Sequence, residues 1–351
     1  MKKRNFKFDF VIGNPPYNED FENSGDNGNY AKPVYNQFMD AAYEIAKKVE
    51  LIHPARFLFN AGSTPKDWNK KMLNDEHFKI LSYEPNCSKV FPNTDIKGGV
   101  AISYHNINDV YPTIKTFTPF SELNSVLAKV MKKSNSFLNS IISGRGVYKL
   151  SDEALKKHPE IITIQSKGHK KDVGAGAFKK LLDIVFFIDK PSDTHEYVKF
   201  LGLDSNKRVY RWGRMDYQET PDSFFKYKVF IPKANGSGAL GEVLSTPLVG
   251  EPLVGATETF LSIGSFDTLD EANNCLKYVK SKFARVMLGI LKITQDNTRD
   301  KWKYVPMQDF TASSDIDWSQ SVHEIDLQLY KKYGLDEQEI NFIESHVKEM
   351  A

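Results

Sequence analysis

Phe8-Asp9-Phe10-Val11-Ile12-Gly13-Asn14-Pro15-Pro16-Tyr17 is the stretch on which the reading of this chain turns. The apolar run ending at Gly13 predicts a short buried strand, and the residues after it a stiff turn, polar and then aromatic. A strand, a glycine and such a turn is how a reactive loop is mounted at the carboxyl edge of an α/β sheet. Background composition produces Asn-Pro-Pro-Tyr only about once in a thousand chains of this length. A plain Pro-Pro corner capped by Asn and packed by Tyr accounts for Pro15-Pro16, but poorly for all four residues behind that strand.

The residue types suit a defined chemistry. Asn14 offers an amide oxygen acceptor and an amide donor. Pro15 offers a carbonyl with no competing N–H, and the two prolines fix φ so that the acceptors are aimed in advance. Two acceptors directed at one point fit an exocyclic amino group such as adenine N6, whose lone pair is delocalised into the ring. Accepting both N–H bonds favours a more tetrahedral nitrogen and frees that lone pair to attack an electrophilic methyl. The stabilisation is electrostatic and needs no ionised base. Tyr17 adds a flat face for an extruded base, worth about 1–3 kcal/mol.

On these residues the chain resembles the gamma-type N6-adenine DNA methyltransferases of restriction–modification systems, the TaqI-methylase-like and type IIG-like group. Lys89-Val90-Phe91-Pro92, followed by Gly99-Val100-Ala101-Ile102-Ser103-Tyr104, extends the resemblance. It implies a catalytic set of Asn14, Pro15, Pro16 and Tyr17, with Phe91 packing on the flipped adenine from the other side; core packing at a strand end is the competing reading for Phe91. It implies double-stranded DNA as substrate, with the base flipped because N6 cannot be reached within the duplex. The fold it implies is α/β, a partial Rossmann-like methyltransferase sheet followed by an α+β target-recognition domain.

The same resemblance implies S-adenosylmethionine, held by a Gly-rich loop and an acidic residue upstream of the catalytic turn. Thirteen residues precede Asn14. The cofactor is therefore expected to be bound mainly by residues absent from this chain, with a second chain carrying that half as one arrangement, and no cofactor-binding residue is assigned here. Gly144-Arg145-Gly146 and Gly236-Ser237-Gly238-Ala239-Leu240-Gly241 are weak substitutes. The second follows Lys228–Pro232 but leads into Glu242-Val243-Leu244 with little helical patterning.

Composition excludes several classes. A chain of 351 residues, 40% hydrophobic and 26% charged, has length for two domains with a sizeable core. A net charge of +2 confines any nucleic-acid surface to a local patch. Cys87 and Cys275 give no disulfide framework, so a cytoplasmic, reducing compartment is expected. No apolar run reaches membrane-span length, and no His, Cys or carboxylate spacing suggests a metal. Asp315, Asp317, Glu337 and Glu339 suit helix capping better than a nuclease centre.

The pattern divides into residues 1–112, the carboxyl half of a catalytic domain; 113–150, linking helices; 151–320, a DNA target-recognition domain; and 321–351, a final helical segment. Asn18 to Lys32 reads as a polar loop able to close over substrate, and Val34 to Lys48 as a helix. Leu269 to Leu291 reads as one long helix. Lys207–Arg214 interleaves cations and aromatics, so Arg208, Tyr210, Arg211 and Arg214 are DNA-facing candidates. Lys167, Lys170 and Lys171 form a basic loop suited to phosphates, and Thr298 and Arg299 end a polar run. Solvated surface is the alternative for each. The functional alternatives are a non-catalytic DNA-binding or specificity subunit and a restriction endonuclease subunit.

Overall fold

A computed structural model describes residues 6–19, 32–59, 62–92, 94, 96, 98–292 and 294–350. Most of the loop read from Asn18 to Lys32 lies outside the described residues. The chain forms two compact units, Met1–Ser121 and Glu122–Ala351.

The first unit is built on a sheet of four strands among the described residues: β1 (Phe8–Gly13), β2 (Ala46–Pro54), β3 (Phe78–Glu84) and β4 (Val100–Asn106), in the order β1-β2-β4-β3. β1 runs parallel to β2, with Gly13 opposite Leu51. β4 runs antiparallel to β2 and to β3, with Val100 opposite both Pro54 and Glu84. The carboxyl ends of β1, β2 and β3 and the start of β4 therefore share one edge. Helix α1 (Tyr35–Ile45) and helix α2 (Lys66–Leu73) bury Tyr35, Met39, Tyr43, Trp68 and Met72 with Val49, Leu51, Phe78 and Ala101 on one sheet face. The helix expected to Lys48 stops at Ile45, because Ala46 is already extended at φ −132°, ψ 148° and begins β2.

β1 corrects the expectation of a buried strand. It is the edge strand of the sheet, and Val11 alone of its apolar residues packs on the core. Side chains alternate across a strand, so Phe8, Phe10 and Ile12 face away from α1 and α2. They are 54%, 45% and 72% exposed.

In the second unit, β5 (Tyr197–Asp204) and β6 (Lys207–Arg214) make an antiparallel hairpin with Asp204 opposite Lys207. Ser205 and Asn206 turn it with φ of 49° and 63°, the positive pair that a two-residue hairpin with matching twist requires. β7 (Tyr227–Pro232) and β8 (Phe260–Phe266) pair antiparallel in a separate sheet. The helix expected from Leu269 to Leu291 is two, α3 (Leu269–Lys280) and α4 (Lys282–Gly289), broken at extended Ser281. The Ser281 hydroxyl accepts from Ala284 N–H, and Asp326 accepts from Lys282 and Phe283 N–H at 3.0 and 2.8 Å. Asp326 lies on α5 (Val322–Tyr333), which is followed by α6 (Glu337–His346).

Burial pushes the Asp326 carboxyl up to about 6, beyond what its two backbone donors offset. The folded state therefore holds the proton more tightly than the unfolded chain, and this group's contribution to stability falls as pH rises from about 4 to 6. Asp326→Asn keeps an acceptor without the charge. It should gain on the wild type across that window by on the order of 2 kcal/mol, measured as the difference in urea midpoints. A difference flat with pH would show that Asp326 is not buried as a carboxylate.

Candidate active site at the sheet edge

Asn14 follows β1 directly, and its side chain is exposed with no hydrogen-bond partner among the described residues. Pro15 is partly buried and Pro16 exposed. The turn is anchored just beyond: Tyr17 O accepts from Val34 N–H at 3.0 Å and Lys32 O from Glu19 N–H at 3.0 Å. The candidate turn is thereby tied to the start of α1, while the Asn14 acceptor stays open among the described residues.

Tyr17 packs its ring on the core cluster of the first unit. Its hydroxyl is buried without a partner, and burial pushes it up to about 12. A neutral phenol is thus present at every ordinary pH, and it serves as a surface and not as a base.

Phe91 stands past the end of β3. Asn86 Oδ1 accepts from Ser88 N–H at 3.2 Å, Phe91 N–H donates to Cys87 O at 2.8 Å, and buried Cys87 Sγ accepts from Ile96 N–H at 3.0 Å. This compact turn brings Phe91 to Tyr17, 6.4 Å between ring centroids at 70°. Residues 74 positions apart are thus neighbours in an edge-to-face contact.

S-adenosylmethionine is expected to find only weak substitute cradles in the two glycine strings. The Gly236–Gly241 loop is filled by its own chain: the Glu242 carboxylate accepts from Ser237 and Gly238 N–H at 2.8 and 3.0 Å and pairs with Lys292. A Cβ at Gly146 would stand 3.1 Å from Glu258, which is bonded to Arg145 at 3.0 Å. The Gly236–Gly241 string is thus closed by its own chain, whereas a Cβ at Gly144 would meet nothing within 4 Å.

In the second unit most of the DNA-facing candidates have local partners. Arg208 donates to Ser245 O and Thr246 O, Arg211 pairs with Asp204 at 2.8 Å, and Arg214 pairs with Asp216. Lys170 donates to Gln165 O at 2.7 Å, and Lys171 pairs with Glu219 at 2.8 Å and Asp152 at 2.9 Å. Lys171 thereby joins the basic loop to the segment after β6. Thr298 donates to Asp296 at 3.1 Å and Arg299 to Asn139 O at 3.0 Å. Lys167 and Tyr210 face water. Trp212, read only as part of the motif, lies under the Lys190 and Lys199 ammonium groups at 5.4 and 5.2 Å. Arg56, read only as a strand exit, lies at the same sheet edge as the catalytic turn.

Residues 1–91 match the family model described as "Eco57I restriction-modification methylase". Over 102 residues the chain is 32% identical to an "Uncharacterized adenine-specific methylase" of Mycoplasma pneumoniae, a match over 28% of this chain and 24% of that protein. The chain thus matches about a quarter of the length of this curated relative. Among solved structures it is similar to the type IIG restriction endonuclease BpuSI, with TM-score 0.32, 9% identity, and 91% of this chain and 50% of that chain covered. It is also similar to the type IIL restriction-modification enzyme MmeI in complex with DNA, with TM-score 0.34, 10% identity, and 96% and 56% covered. No helix among the described residues is long and apolar enough to cross a membrane.

Because the Tyr17 hydroxyl is buried without a partner, Tyr17→Phe should leave stability unchanged or raise it by about 1 kcal/mol. A urea midpoint clearly below wild type would reveal a hydrogen bond to that oxygen and remove its role as a passive surface.

Proposed function

We propose that this chain is the catalytic-turn and target-recognition part of a DNA adenine-N6 methyltransferase of a restriction–modification system. The observation that carries this reading is the open Asn14 acceptor, next to the Pro15 carbonyl, at the edge where Tyr17 and Phe91 meet. Asn14 and the Pro15 carbonyl hold adenine N6, and Tyr17 and Phe91 take the flipped base between them. The phenol stays neutral, so the turn acts through aimed acceptors and excluded water. Methylases of the matched family use S-adenosylmethionine; its binding falls mainly to residues outside the described ones, a second chain carrying that half being one arrangement.

β1 supports that partner. A parallel ladder is ordinarily covered on both faces, yet among the described residues β1 is an edge strand and its Phe8, Phe10 and Ile12 are 54%, 45% and 72% exposed. Burying each of Phe8, Phe10 and Ile12 is worth about 1–2 kcal/mol. The occupant that fits is a parallel strand with an apolar helix behind it, which is the build of a cofactor-binding half. In the second unit, the basic loop at 167–171 and the strand carrying Arg208, Tyr210, Arg211 and Arg214 face the DNA, together with Thr298 and Arg299. Their local acceptors hold these side chains in place for it.

With the complementing half present, Asn14→Ala should lower tritiated-methyl transfer to DNA by about 10²–10³-fold while leaving DNA affinity nearly intact. Equal transfer by mutant and wild type removes the reading. Ile12→Asp, 72% exposed in this chain, should leave its own thermal unfolding within about 0.5 kcal/mol and abolish co-purification with the complementing half. Undiminished co-purification places the partner elsewhere.

A further inference from the structure

Arg56 opens the helical turn Arg56–Phe59, two residues past the end of β2, and its side chain is partly buried. Of the described arginines, Arg145, Arg208, Arg211, Arg214, Arg285 and Arg299 all donate to a carboxylate or a carbonyl. Arg56 has no hydrogen bond, ion pair or ring contact among the described residues. A partly buried guanidinium with no protein partner leaves its five donors free for an anion.

Its surroundings hold it in place. A Cβ at Gly98 would stand 2.5 Å from Arg56 Cγ, and one at Gly62 would stand 3.3 Å from its Cβ and 3.5 Å from Nε. Both glycines sit at φ near +85°, +88° and +84° respectively. The Gly98-Gly99 segment is fixed in turn by Ala55 N–H donating to Gly99 O at 3.0 Å and the Tyr83 hydroxyl donating to Gly98 O at 3.2 Å. The arginine stem therefore lies in a slot made by two missing side chains, which reduces the freedom it loses on binding a ligand.

The start of α1 lies close by. Tyr35, its first residue, packs on Phe57 at 6.2 Å and stacks on His53 at 6.1 Å. Burial pushes the Tyr35 hydroxyl up to about 12, against the opposing pull of the Thr64 hydrogen bond and the Arg56 charge. The helix has 11 residues; its N-cap, Val34, contributes no side-chain cap, and its first turn holds no acidic residue. That end keeps its positive dipole and is suited to an anion. Val34 N–H is bonded to Tyr17 O, so the helix start and the catalytic turn are one assembly.

We propose that Arg56, with the first turn of α1, forms a phosphate site that grips the nucleotide whose base enters the Asn14–Tyr17 turn. This rests on the base reading given above. A nucleotide seated with N6 at Asn14 carries its phosphates on the attached sugar, and a planar fork of donors matches two phosphate oxygens at once. Arg56 is then a positioning residue: it fixes where the sugar–phosphate sits, and so how far the base enters the pocket.

The test uses the whole chain and small probes followed by ligand-observed NMR: deoxyadenosine, its 5′- and 3′-monophosphates, inorganic phosphate and methionine. The wild type should bind one monophosphate about 10-fold tighter than deoxyadenosine, the gain expected of a charge-assisted pair. Arg56→Gln should bring the two within about 2-fold without changing deoxyadenosine affinity, and Arg56→Lys should keep part of the gap because it retains charge but loses the fork. A gap that survives Arg56→Gln overturns the proposal. So does a loss of deoxyadenosine binding in both variants, which marks a structural arginine, or an Arg56-dependent preference for methionine, which assigns the site to a carboxylate. If phosphate binds through Arg56 while deoxyadenosine is not bound at all, the phosphate site stands and the base reading of the turn falls.

Discussion

The parallel ladder between Phe8–Gly13 and Ala46–Pro54 is the constraint on which the site depends. Its register, Gly13 opposite Leu51, sets Asn14 at the same sheet edge as the exit of the neighbouring strand. The antiparallel return of Val100–Asn106 against both neighbours brings the ends of Pro54 and Glu84 to that edge as well. Side chains from four separate stretches can then converge without any of them being adjacent in sequence. A slip of one residue in the first pair would turn Val11 outward and Phe10 and Ile12 inward, and would carry the turn away from α1.

The strand that carries the turn is also the least covered strand of its sheet. A lone edge strand with bare aromatic side chains is an invitation to pair with another chain, and here it lies directly beside the acceptors of Asn14. The turn at Asn14 directly follows the six-residue strand whose Phe8, Phe10 and Ile12 are exposed. Any chain that docks along β1 therefore ends next to the catalytic turn.

Much of the first unit was legible because its signals are local. Strand, glycine, prolines and tyrosine follow one another directly, so the strand and the turn after it could be read from ten residues. The pairing of Tyr17 with Phe91 was legible only through resemblance, since nothing in the spacing of 74 residues dictates a ring contact. Boundaries failed where short-range pattern and tertiary demand diverged. The apolar periodicity runs on past Ile45, but Lys47 and Lys48 are taken by the ladder with β1. Likewise the run from Leu269 to Leu291 has a helical period throughout, and only Asp326, distant in sequence, makes the break at Ser281 favourable by accepting two N–H groups.

Charge was the least readable property. Interleaved arginines and tyrosines look like a contact surface, yet nearby carboxylates and carbonyls engage Arg208, Arg211 and Arg214. Arg56, isolated in an apolar stretch, gave no signal at all, and among the described residues it has no partner. What the residue order settles by itself is the kind of turn: proline stiffness and an amide acceptor are properties of the residues and need no neighbours. Which face of the carrying strand is bare, which arginine lacks an acceptor and which two rings meet were decided only by folding. Burial and pairing depend on where distant segments return, and sequence distance does not encode that return.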